Sequence, residues 1–168
     1  MKPLVALVLV LFSFAVSAAG PQPPQAMRFD IEQTVIRMPL AEGVTADDAI
    51  EALKSKAIEL NMKFVAHQPL SKELAARGIE NPPRLEIFQF CNPGDAYEMV
   101  QFNPIFAAYM PCRIALVEDR KAGKTWLMML NLDMLIDNTP LPPKIRAIAE
   151  RVNDTLMQIL EAGATGEF

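Results

Sequence analysis

The sequence predicts an α+β fold: a single layer of about five mostly antiparallel strands with two long helices packed on one face, in β-α-β4-α order. Three observations carry this. Residues 45–60 and 143–162 each keep one apolar face at helical spacing. Short apolar runs elsewhere are separated by proline, asparagine and glycine breaks. The last two of those runs are joined by Asp119-Arg120-Lys121-Ala122-Gly123, a hairpin-length link that favours antiparallel pairing.

The elements follow in order. Met1 to Ala19 reads as a cleaved secretory leader: Lys2 supplies the positive start, Leu4 to Ala15 the apolar run, and Ala18 or Ala19 the cleavage site. Export, to a periplasm or its equivalent, is therefore expected, with no stable membrane anchor after cleavage. Residues 20–28 include Pro21-Gln22-Pro23-Pro24-Gln25 and read as a tether. The folded domain is expected over 29–163, with 164–168 as a tail.

Thr34 to Met38 is the first strand candidate, stopped by Pro39. Thr45 is a good helix N-cap, and Asp47 and Asp48 lie where the helix dipole favours negative charge. Ile50, Leu53, Ala57 and Leu60 form the buried face, and Asn61 is the stop. Lys63 to Ala66 is the second strand with His67 at its end, and Ser71 to Arg77 is a helical turn closed by Gly78. The third strand is Arg84 to Phe90. Asn92 caps a helix with Pro93 at its first position, running to about Phe102. Asn103-Pro104 interrupts it, a further turn carries Phe106 to Tyr109, and Pro111 closes the excursion. Cys112 to Glu118 and Lys124 to Asn131 are strands four and five, followed by one helical turn at 132–136. Pro143 starts the last helix, whose apolar face includes Ile145, Ile148, Val152, Leu156 and Ile159, and Gly163 is read as its end.

The chain of 168 residues is 51% apolar with net charge −4, one unit more negative once Lys2 leaves with the leader. An acidic chain without a basic stripe disfavours nucleic acid as a partner. Gly123-Lys124-Thr125 resembles the end of a phosphate-binding loop, but Glu118 stands where the earlier glycine is required. There is no C-x-x-C, H-E-x-x-H or G-x-S-x-G. No catalytic residue, cofactor or metal ligand set is assigned.

The two cysteines, Cys91 and Cys112, mark the end of strand three and the start of strand four. Antiparallel pairing makes them neighbours across the intervening helix. Three readings stay open: a disulfide worth about 3 kcal/mol, a reactive or ligand-binding thiol pair with Cys91 activated beside a helix N-terminus, or two small buried apolar residues. Asn92, Met110 and Arg113 are the candidate ligand contacts beside them. His67, the only histidine, falls at the far end of its strand, so a cysteine–histidine metal site is disfavoured.

Phe90-Cys91-Asn92-Pro93, Asn103-Pro104, Met110-Pro111-Cys112-Arg113-Ile114 and Val117-Glu118-Asp119 resemble the pattern of the domain-of-unknown-function family number 302. The resemblance extends over about Val44 to Ile136. It implies a TATA-box-binding-protein-like sheet fold, a cysteine pair at Cys91 and Cys112, and no established activity. The expected function is a non-catalytic binding or accessory protein, with its site at the cysteine edge and a small molecule, metal or partner protein as ligand. The alternative is a thiol-based redox or sulfur-handling protein using the same pair.

Overall fold

The computed structural model describes residues 30–167. The leader and the tether expected at the N-terminus lie outside the described residues.

A 3-10 turn, Ile31–Thr34, leads into β1 (Val35–Pro39), and α1 (Ala46–Glu59) follows. Next come β2 (Lys63–Gln68), α2 (Leu70–Ala76) and β3 (Leu85–Cys91). The excursion beyond β3 consists of α3 (Pro93–Phe102) and a 3-10 segment, Pro104–Tyr109. The chain returns through β4 (Cys112–Asp119) and β5 (Lys124–Leu130), then α4 (Leu132–Asp137) and the long α5 (Pro143–Thr165).

The sheet order is β1-β5-β4-β3-β2, with every neighbouring pair antiparallel. β1 and β2 therefore form the two edges, and α1 crosses the whole sheet to connect them. α5 returns across the same face beside α1. Phe88, Phe90, Ile114, Leu116 and Leu127 from the strands meet Leu53, Leu156, Ile159 and Leu160 from the helices in one buried cluster. Alternation along β3 explains its inward set: Glu86, Phe88 and Phe90 are buried, and the residues between them are half-buried.

Local chemistry sets the helix starts. Thr45 Oγ1 accepts the Asp48 N–H at 3.1 Å, and Asp48 Oδ2 accepts the Thr45 N–H at 2.9 Å, a reciprocal capping box. Thr45→Ala is expected to lower Tm by about 2–4 °C, the loss of one such cap in a domain this size; a thermal scan by circular dichroism reads it, and an unchanged Tm would show the box to be ornamental. At the other end of α1, Asn61 takes a left-handed conformation (φ 55°), as expected of the stop.

One expectation is overturned. Gly163 does not end α5, which continues to Thr165 and is closed by Gly166 at φ 71°. Gly163 is an interior glycine facing α1. Its small size, rather than its conformational freedom, is what the fold uses there.

Candidate functional site

The expected neighbourhood of Cys91 and Cys112 is present, one step out of register. Cys112 lies opposite Phe90, whereas Cys91 lies opposite Lys63 on the other neighbour, β2. Along a pleated pair, directly opposed residues share a face and the next residue turns away. The structure holds no disulfide between them, and both cysteines are half-buried.

Both nevertheless line one cavity of about 450 Å³. It opens at the sheet end where β2 and β4 begin and β3 stops. Its walls come from α3, the following 3-10 segment, α4, the loop after it, and α5. Met99, Ile145 and Ile148, with Phe106, Met110 and Leu141 against them, form a small apolar cluster of their own, most of which lines the cavity. Phe102, Ile105, Tyr109 and Leu135 line it and remain exposed, Ile105 by 62%.

The polar side chains in the lining are largely engaged elsewhere. Asn92 Oδ1 accepts the N–H groups of Gly94 (3.0 Å) and Asp95 (3.2 Å), so it is the cap of α3. Asn103 Oδ1 accepts the Ile105 N–H at 3.0 Å and caps the 3-10 segment. Asp95 accepts from Arg151 at 2.5 Å, tying α3 to α5. Thr139 donates to the Leu135 carbonyl at 2.5 Å.

Four of the expected site residues, Cys91, Asn92, Met110 and Cys112, line the cavity. Arg113 does not. The alternation of β4 turns it away from Cys112 into solvent, opposite Gln89. The expected activation of Cys91 is also absent: burial pushes its thiol up, with Asp95 adding to the effect. Asn92 has taken the amide donors that could have stabilised a thiolate. Cys112 is pushed up to about 11, first by burial and then by Cys91. Both groups are therefore thiols near neutral pH.

A second polar constellation escaped the sequence. A register shift between Phe64 and Ala66 inserts Val65 as a bulge, so His67 faces Phe88. Unshifted pairing from Phe64 and Phe90 would have set it opposite Ile87. The imidazole stacks on the Phe88 ring, centroids 4.6 Å apart at 11°. Its Nε2 lies 2.5 Å from Glu86 Oε2. Arg84 Nε donates to Glu86 Oε1 at 2.5 Å, and Arg84 Nη2 donates to Asp47 Oδ1 at 2.6 Å. Glu86 is only 6% exposed. The chain of charges links β2, β3 and α1, and it sits at the end of β2 away from Lys63 and Cys91, as expected for His67. The available signal was the alternation of β3, which puts Arg84 and Glu86 on the same face as Phe88 and Phe90.

One antiparallel sheet, two long helices on one face and an apolar cavity walled by the excursions after β3 and β5 define a small α+β protein. The chain belongs to the family described as domain of unknown function DUF302, whose family model matches residues 36–163. Among solved structures it is similar to the crystal structure of an uncharacterized conserved DUF302 protein from Bacillus stearothermophilus, with 18% identity and a TM-score of 0.64. That match covers 77% of this chain and 97% of the other, and at this identity it speaks to the fold alone. No curated protein matches the chain.

Proposed function

We propose that this is an exported, non-catalytic binding protein whose ligand, a small, uncharged and largely apolar molecule, occupies the cavity at the cysteine end of the sheet. The observation carrying the reading is the cavity itself. Its volume of about 450 Å³ falls in the usual range for small-molecule pockets, which combine apolar walls with few polar groups. A charged organic ligand would lose its hydration there and meet few free polar groups, because Asn92, Asp95, Asn103 and Thr139 already hydrogen-bond within the fold. The exposed ring of Phe102, Ile105, Tyr109 and Leu135 supports entry of an apolar molecule from solvent. Redox chemistry by the pair draws less support. Nucleophilic attack needs thiolate, and burial holds both groups in the thiol form.

The test uses N-phenyl-1-naphthylamine, an uncharged apolar fluorophore. The mature protein is expected to take up one probe per chain. Ala149→Phe, which places a ring into the cavity from α5, is expected to weaken uptake at least about tenfold, equivalent to about 1.4 kcal/mol. Circular dichroism checks that the variant is folded. Absence of probe uptake by the wild-type protein, or equal uptake by a folded Ala149→Phe, would remove the reading.

A further inference from the structure

We propose that the sulfur-bearing end of the cavity is a site for a soft monovalent metal ion of the Cu(I) class, held by Cys91 and Cys112 with thioether support from Met110 and Met62. Three neighbouring strands begin or end here: β2 starts directly after Met62, β3 stops at Cys91, and β4 starts at Cys112. The pairs Lys63–Cys91 and Phe90–Cys112 lock those ends together, and adjacent antiparallel strands stand only about 5 Å apart. Met110 lies two residues before Cys112 on the approach to β4. All four side chains line the same cavity, and Met99 of α3 adds a fifth sulfur to it.

The donor set selects the ion. Thiolate and thioether sulfur suit Cu(I), whereas carboxylates and carbonyls suit Mg2+, Ca2+ and Mn2+. Asp95, the carboxylate in this lining, is paired with Arg151. Among the described residues no three of His, Cys, Asp and Glu stand together as a ligand set, so a Zn2+ site of ordinary composition is not offered. Each thiol that binds must release its proton to solvent, and affinity therefore strengthens as pH rises. The ion site needs no organic ligand in the rest of the cavity.

The test is an anaerobic titration of the mature protein against Cu(I) buffered with bathocuproine disulfonate. One copper per chain is expected to leave the chelator, with tighter uptake at higher pH. The Cys91→Ser, Cys112→Ser double variant is expected to abolish uptake. Met110→Leu conserves volume, keeps the fold, and is expected to weaken uptake at least about tenfold. X-ray absorption at the copper edge is expected to report sulfur scatterers alone. Failure of the wild-type protein to withdraw copper, undiminished uptake by the double variant, or a shell of nitrogen and oxygen overturns the proposal. Naphthylamine uptake measured on the same samples separates the two readings: probe without copper removes this one only, and copper without probe removes the apolar-ligand reading only.

Discussion

Gly163→Leu is expected to yield no folded protein, and Gly163→Ala to lower stability by about 1–3 kcal/mol, the ordinary cost of overpacking a tight core. A Cβ built at this position would lie 2.6 Å from Leu53 Cδ2 and Cγ and 2.8 Å from Leu127 Cδ1. Both leucines are completely buried, so neither has free space into which to swing. Relief requires α5 to move off α1 and β5, which opens the cluster they share. Alanine would favour the helix by about 1 kcal/mol over glycine, and this offsets only part of the clash. Urea denaturation of Gly163→Ala reads the difference, and soluble yield with circular dichroism reads Gly163→Leu. A midpoint for the alanine variant equal to or above wild type would show that the helices have slack the packing denies.

Glu86→Ala is expected to cost about 3 kcal/mol, because removing the buried carboxylate leaves His67 Nε2 and Arg84 Nε without the group they share, and only Asp47 still pairs Arg84. The expectation sits at the low end for buried pairs since both partners are about one-third exposed. The same group carries a pH signature. Burial pushes its carboxyl up, but hydrogen bonds from Arg84 and His67, with their charges, outweigh burial and hold it below the ordinary carboxylate value. A lowered folded value means stability that is present above the ordinary carboxylate range and is lost as pH falls through the folded one. The wild-type protein should therefore lose part of its stability on acidification through the carboxylate range. Glu86→Gln should be less stable near neutral pH and show a flatter acid limb. Denaturant unfolding of both proteins across that range checks it; parallel profiles would remove Glu86 from the acid response.

The reasons some features were legible and others were not are local. α1 and α5 announce themselves because burial of one helical face repeats with a period that any residue count detects. Asn92 before Pro93 is a cap whose partners lie within three residues, so it too could be read directly. The neighbourhood of the cysteines followed from strand order. Their exact opposition did not, because register is set by side chains on two strands at once. The Val65 bulge is likewise a property of the β2–β3 pair, and without it Glu86 has no histidine partner. Gly163 was misread because glycine near the end of an apolar period carries two meanings, a turn or a close approach. Only the position of Leu53 on another helix distinguishes them.

The cavity walls and the main core draw on partly different parts of the chain and meet at Met62, Cys112, Leu132 and Val152. Residues 93–109 and 132–141 shape the opening, while the register of the sheet and the Phe88–Phe90–Leu127–Leu160 cluster are held by β3, β5 and the two long helices. Insertions and substitutions in those two excursions can enlarge, close or re-polarise the cavity without disturbing a single ladder hydrogen bond. Change in the shape of the opening can therefore fall on residues that the main core does not use, Met62, Cys112, Leu132 and Val152 excepted.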